Sequence, residues 1–138
     1  PVLVMRADAE PARKIILAAV NFQSHKPEYE KLNQAVIDRG HWYAEKYQAE
    51  LHVVNAYDHS LQYPDRTKLA VQARVPSSNI HVRSGKASEV IAQVASEISA
   101  DVTLVGVRER FKRWRGNTSG NVILRLEGDL LVINSGFS

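Results

Sequence analysis

Val102-Thr-Leu-Val-Gly106 and Leu130-Leu-Val-Ile133 are the two segments that decide the fold of this 138-residue chain. Each is a short apolar run typical of a buried strand, and a basic loop and Gly116-Asn-Thr118 lie between them. Gly106, at the carboxyl end of its strand, lets the backbone approach a ligand, and the helix that opens at Gly116-Asn-Thr118 offers unpaired N–H groups and a positive dipole end to an anion. A strand, a loop, a helix and a second strand therefore predict a phosphate site at the edge of an open parallel sheet.

The upstream sequence shows the same alternation of strand and helix. Apolar runs and helical stripes follow one another along residues 15–20, 27–48, 51–57, 67–73, 80–82 and 90–98. Such alternation indicates right-handed crossovers and a parallel α/β sheet, whose ligand crevice lies beyond the carboxyl ends of the strands. We expect that edge to hold the residues that end or follow the strands: Asn21, Tyr57, Gly85 and Gly106.

Composition indicates a single domain with a substantial core, since 44% of the residues are hydrophobic. Cysteine is absent, which excludes a disulfide framework and a thiolate metal site, and no apolar run approaches the roughly 20 residues of a membrane helix. The net charge of +3 is compatible with an anionic ligand without demanding nucleic acid. We expect a cytoplasmic protein with no membrane partner.

The first 13 residues differ in character from the rest of the chain. Residues 1–5, Pro-Val-Leu-Val-Met, are similar to the last strand, and charged residues with the composition of a linker follow them. We interpret residues 1–8 as the terminal strand of a preceding, similar domain, 9–13 as a linker and 14–138 as the domain itself. Chance similarity between two short Val/Leu runs is the alternative.

These features resemble the universal stress protein family, and specifically the second half of its tandem, two-domain members. The resemblance covers nearly the whole chain and rests on Ala19-Val-Asn21, Leu51-His-Val-Val54, Gly85-Lys-Ala-Ser-Glu-Val-Ile91, the strand at 101–106 before Gly116-Asn-Thr-Ser119, and Asp129-Leu-Leu-Val-Ile133. It implies five parallel strands sandwiched by helices in the order 3-2-1-4-5, counted from the strand at residue 15. The fold that the resemblance implies is Rossmann-like and similar to the adenine nucleotide alpha hydrolases.

The resemblance also implies pairing through the last strand, with a homodimer partner or with the preceding tandem domain. The residues of this pairing strand are Leu130, Leu131, Val132 and Ile133. Residues 1–5 would then pair antiparallel with it and cover an edge that otherwise invites aggregation.

Many members of the family bind ATP through a glycine-rich loop and an acidic residue after the first strand. The resemblance maps such a site onto Asn21, Val53, Gly106, Arg108, Gly116, Asn117 and Thr118. In this assignment Asn21 and the backbone near Val53 face the base, and the others hold phosphates. The motif is altered, because Glu109 replaces the second glycine, alignment on Gly116 shortens the loop by three residues, and Asn21 offers hydrogen bonds but no charge. We therefore expect a degenerate site for ATP or another adenine nucleotide.

Three functions follow from these patterns. The first is a non-enzymatic stress-response module that binds or senses a nucleotide. The second is an assembly module that pairs through its last strand and binds no ATP. The third is binding of nucleic acid or another anion by residues 108–115, where five basic residues surround Phe111 and Trp114. We favour a solvated surface loop there, because basic residues without a recognised nucleic-acid fold are a weak signal.

Catalytic and metal-binding patterns are not evident. The serine after Gly116-Asn-Thr118 lies one position too late for a nucleophile elbow. The five histidines lack paired ligand spacing, and His52 and His81 fit hydrogen-bonded structural residues within strands better than metal ligands. We predict that the protein is not an enzyme and uses no metal.

Overall fold

A computed structural model describes residues 2–4, 14–21, 27–57, 65–107 and 129–134. The elements in chain order are β1 (Val2–Val4), β2 (Ile15–Val20), α1 (Pro27–Tyr47), β3 (Glu50–Tyr57), α2 (Arg66–Ala73), a 3-10 turn (Ser77–Asn79), β4 (Ile80–Ser84), α3 (Ala87–Ile98), β5 (Val102–Val107) and β6 (Asp129–Asn134). Within these ranges, no helix is long and apolar enough to cross a membrane.

The strands form one sheet in the order β1-β6-β5-β2-β3-β4. All neighbours from β2 to β6 pair in parallel. Counted from β2, the five parallel strands have the order 3-2-1-4-5, which confirms the expected α/β fold. The connections run outward in opposite directions from the boundary between β2 and β5, because β3 and β4 lie on one side of it and β5 and β6 on the other.

The strand β1 joins the sheet antiparallel to β6, with Val2 opposite Val132 and Val4 opposite Leu130. The predicted antiparallel pairing of residues 1–5 with the last strand is thereby confirmed for residues 2–4, the part that the structure describes. The division into 1–8, 9–13 and 14–138, and the origin of β1 in a preceding domain, stay predictions.

Two apolar layers cover the faces of the sheet. Helices α1 and α2 pack on one face, where Ile16, Val53 and Leu104 are fully buried. Helix α3 packs on the other face against strand residues such as Leu17 and Val54. Successive strand side chains alternate between the two layers, so central strands buried on both faces read as continuous apolar runs.

Polar groups fix the ends of several elements. The Asp65 carboxylate accepts from the N–H groups of Thr67 and Lys68 and so begins α2. The Asp101 carboxylate accepts from the backbone N–H groups of Lys14 and Ile15, at 2.7 and 3.0 Å. These hydrogen bonds connect the start of β2 to Asp101, the residue just before β5.

Candidate functional site

A cavity of about 200 Å³ opens where the connections of the sheet change direction, beside the carboxyl ends of β2 and β5. Its lining comes from both strand ends and from the helices on both faces: Ala19, Val20, Asn21, Tyr29, Leu32, Asn33, Val36, Ala87, Ile91, Val105 and Gly106. This boundary is the topological switch point, where open α/β sheets bind ligands, because the two flanking connections diverge and leave a crevice.

The four residues expected at the ligand edge all lie there. Asn21 directly follows β2, Tyr57 ends β3, Gly85 directly follows β4, and Gly106 is the last residue but one of β5. Asn21 and Gly106 line the cavity itself. The sequence therefore predicted correctly which strand ends share this edge.

Asn33 is the cavity residue that the sequence analysis missed. It is only 4% exposed, although its side chain is an amide. Its Oδ1 accepts from the backbone N–H of Asn21 at 2.9 Å, and its Nδ2 donates to the backbone carbonyl of Asn21 at 2.8 Å. The available signal was an asparagine between Leu32 and Val36 in the apolar stripe of α1, where a polar side chain requires a partner.

Gly106 lines the cavity and is also required by packing. A Cβ atom added there would lie 2.6 to 2.9 Å from three side-chain carbons of Leu32. Leu32 is 6% exposed and belongs to the core beneath α1. Gly106, which was predicted to let a ligand approach the backbone, therefore also leaves the space that the Leu32 side chain occupies.

The first turn of α3 borders the cavity through Ala87. Lys86, at the N-cap, makes no capping hydrogen bond through its side chain. Gly85 precedes it with φ of +134°, a conformation that other residues rarely adopt. Among the described residues that line the cavity, none carries a formal charge. The described lining thus supplies no formal charge of its own, and the positive end of the α3 dipole lies beside it.

The other predicted site residues are separate from the cavity or outside the described part of the chain. Val53 is fully buried between β2 and β4, and its side chain contributes to the core. Arg108, Gly116, Asn117 and Thr118, and with them the basic segment 108–115, lie outside the described residues. Their assignment stays a prediction.

The four residues of the predicted pairing strand are buried on alternating faces of the sheet. Leu131 and Ile133 belong to the layer beneath α1, and Leu130 and Val132 to the layer beneath α3. One edge of β6 pairs with β5 and the other with β1. A strand from another domain can therefore take the outer edge only by replacing β1.

His52 and His81 are hydrogen-bonded strand residues, as expected, and the structure shows that they bond each other across β3 and β4. His52 Nδ1 lies 3.0 Å from His81 Nε2. The ring centroids are 5.3 Å apart, which is about the N···N distance plus the two ring radii, and the planes differ by 20°. The rings therefore meet end to end, so that one N–H donates to the other nitrogen.

Burial lowers the pKa of both imidazoles. For His52 a nearby carboxylate, Glu50, opposes the effect. For His81 the pKa is lowered further by His52, Arg83 and Arg66, while Glu97 acts in the opposite direction. Among the described residues no group of three or more potential metal ligands comes together. Because both pKa values lie below 6.5, the two rings are mainly uncharged at pH 7 and share a neutral hydrogen bond.

A parallel five-stranded core with a cavity at its switch point defines a doubly wound α/β domain with a candidate ligand site. The model of the universal stress protein family matches residues 36–134, and the chain belongs to that family. The universal stress protein E homolog of Haemophilus influenzae is 27% identical, over 96% of this chain and 52% of that protein.

Solved structures show the same fold. A protein from Pseudomonas aeruginosa described as a universal stress protein is 26% identical with a TM-score of 0.80, over 95% of this chain and 51% of that one. A universal stress protein in complex with cAMP is 19% identical with a TM-score of 0.65, over 90% and 98% of the two chains. The chain spans about half the length of the Haemophilus and Pseudomonas relatives.

Proposed function

We propose that this chain is a cytoplasmic stress-response module that binds an adenine nucleotide and does not convert it. The cavity between the ends of β2 and β5 carries the proposal, because a ligand at the switch point contacts both halves of the sheet. Family membership and the relative of the same fold that holds cAMP support it.

The size and lining of the cavity suggest how the nucleotide lies. About 200 Å³ is less than the roughly 300–1,000 Å³ of common ligand pockets, so the cavity takes one part of the ligand. Its mostly apolar lining, with the side-chain amide of Asn21, suits the base better than the phosphates. The phosphates would extend towards the segment after β5, where Arg108, Gly116, Asn117 and Thr118 are the proposed contacts. The altered loop makes this a degenerate ATP site.

A cavity-filling substitution tests the proposal directly. Ala87 is half-buried and lines the cavity, whereas Ala92 is half-buried on the same helix and does not. Ala87→Leu should weaken binding of ATP, AMP and cAMP by about tenfold or more in calorimetric titration, because one added side chain removes space that the ligand needs. Ala92→Leu should retain the affinity of the wild type. Equal affinities in the two folded variants would place the nucleotide elsewhere.

Gly116→Asp examines the phosphate half of the proposal separately. A carboxylate at this position should weaken ATP binding by charge repulsion while the domain stays folded. Unchanged ATP affinity in the folded variant would remove Gly116 from the site. Ala87→Leu tests whether the base lies in the cavity, and Gly116→Asp tests whether the phosphates lie near Gly116. The two variants therefore show which of the two assignments is wrong if one of them fails.

An assembly module is the second candidate, and the antiparallel β1–β6 pair favours it. The outer edge of β6 accepts an antiparallel strand, which another copy of the chain or an adjacent domain could supply in place of β1. Removing residues 1–8 should convert a monomer into a dimer whose stability ignores ATP, as measured by sedimentation. A truncated chain that remains monomeric and folded would contradict this candidate. Charged substitutions at Leu131 or Val132 are poorer tests, because both side chains belong to the core.

A further inference from the structure

We propose that Asn33 is a positioning residue of the cavity, which holds the backbone of Asn21 so that Asn21 meets a ligand through its side chain. The inference rests on the proposed function, because it concerns the same cavity. It adds a residue on α1 that fixes the backbone of Asn21, directly after β2.

The two hydrogen bonds between these residues are reciprocal. The Asn33 amide accepts from the N–H and donates to the carbonyl of one residue, at 2.9 and 2.8 Å. A neighbouring peptide in a sheet engages a residue in the same way, so the side chain of Asn33 extends the pairing of β2 by one residue. Two bonds to one residue fix its orientation as well as its distance.

Because Asn33 is buried, its polar atoms are costly unless they form hydrogen bonds. Asn33 is 4% exposed and lies between Leu32 and Val36, both buried in the apolar layer. An amide in such surroundings is favourable only when its donor and acceptor are both bonded, and the Asn21 backbone supplies both partners. The side chain of Asn33 is therefore committed to the protein rather than to a ligand.

The pair also determines what Asn21 can offer at the cavity. Its N–H has a single hydrogen, and that hydrogen is already donated to Asn33. A donor for the ligand must come from the exposed side-chain amide, which can also accept. Asn33 thus acts on the ligand indirectly, by keeping the Asn21 side chain at the cavity mouth.

Two substitutions separate positioning from simple packing. Asn33→Leu keeps the approximate volume and removes both hydrogen bonds. Asn33→Asp keeps the acceptor for the Asn21 N–H but places a carboxylate against the Asn21 carbonyl. Gln34→Leu is the matched control, because it makes the same amide-to-leucine change on the next residue, which is exposed.

Calorimetric titration with AMP, relative to the wild type at each pH, provides the first readout. Asn33→Leu should weaken binding by about tenfold, and Gln34→Leu should leave it unchanged. Asn33→Asp should be impaired near neutral pH and approach the wild type on acidification, because the protonated carboxyl regains a donor. Because a buried carboxylate also weakens folding, the rescue supports positioning only where circular dichroism shows Asn33→Asp fully folded at both pH values. Wild-type affinity in folded Asn33→Leu would overturn the inference.

Hydrogen exchange of the Asn21 amide provides a readout that needs no nucleotide. Exchange should accelerate by about tenfold in Asn33→Leu and remain at the wild-type rate in Gln34→Leu. Unchanged protection in Asn33→Leu would overturn the inference, whatever the nucleotide result. If the wild type fails to bind AMP, the proposed function fails, and the exchange rates still decide whether Asn33 holds Asn21. If Asn33→Leu does not fold, Asn33→Asp supplies the nucleotide comparison through its pH dependence, and Asn33→Ala, which also removes both hydrogen bonds, supplies the exchange comparison.

Discussion

Acidification should destabilise this domain through the His52–His81 pair. In the folded chain, burial lowers the pKa of both rings below 6.5, and for His81 the neighbouring His52, Arg83 and Arg66 lower it further. One ring donates to the other over 3.0 Å. When both rings are protonated, neither nitrogen can accept, so the hydrogen bond is lost and two like charges face each other.

The sign follows from comparing the folded and unfolded chains. Unfolded histidines take up protons near pH 6.5, whereas the folded pair takes them up at lower pH. The stabilising contribution is therefore complete above about pH 6.5 and is lost as the pH falls through the lowered pKa values. Glu50 and Glu97 reduce the effect without reversing it.

The magnitude is modest because both rings are only half-buried. A fully shifted group contributes at most about 1.4 kcal/mol per pH unit within its window. Solvent screening reduces this value, and the loss of the hydrogen bond on double protonation is already contained in the pKa shifts. We expect a total loss of about 1–2 kcal/mol between about pH 7.5 and 5.0, a large share of a typical stability of roughly 5–15 kcal/mol.

Urea unfolding at several pH values measures this loss, with EDTA present so that no metal bridges the rings. The double variant His52→Gln/His81→Gln should show a shallower fall in unfolding free energy than the wild type. His41→Gln is the control, since His41 contacts the Ala73 carbonyl at 2.7 Å, away from the pair. If the double variant keeps the pH dependence of the wild type, carboxylates elsewhere cause the acid sensitivity and our reasoning is wrong.

Three further substitutions test how the fold is held together, all measured by urea unfolding. Gly106→Ala should cost about 1–3 kcal/mol, because the new Cβ overlaps Leu32; an unchanged stability would show that α1 can move aside freely. Asp65→Ala should cost about 0.5–2 kcal/mol through the lost N-cap of α2, and Asp65→Asn should recover most of it. Asp101→Ala should cost about 1–3 kcal/mol by leaving two N–H groups at the start of β2 without their acceptor; a loss equal to that of Asp101→Asn would show that the hydrogen bonds contribute little.

The sequence predicted the sheet well because its signals are local. A run such as 15–20 is apolar throughout only if both faces are covered, and the residues after each strand then mark one edge. The details of the site depend instead on partners distant in the chain. Asn33 bonds Asn21 across 12 positions, and His52 bonds His81 across 29. Neither separation along the chain matches the period of a helix or a strand. The sequence pattern therefore indicated that these side chains need hydrogen-bond partners, but it did not show which residues the partners are.

Gly106 shows why a motif residue alone does not establish a ligand site. Its missing Cβ accommodates Leu32, and the next residue of α1 is Asn33, which holds Asn21 at the same cavity. Two adjacent residues of α1 therefore link its packing to the cavity: Leu32 packs against Gly106, and Asn33 bonds Asn21.

The double variant Gly106→Ala/Leu32→Ala separates the two roles, because removing the Leu32 side chain makes room for the new Cβ. If it folds and binds AMP like Leu32→Ala alone, the glycine serves packing only. If it folds but binds AMP about tenfold more weakly than Leu32→Ala, the backbone at Gly106 contacts the nucleotide closely. Because Leu32 also lines the cavity, Leu32→Ala rather than the wild type is the required reference.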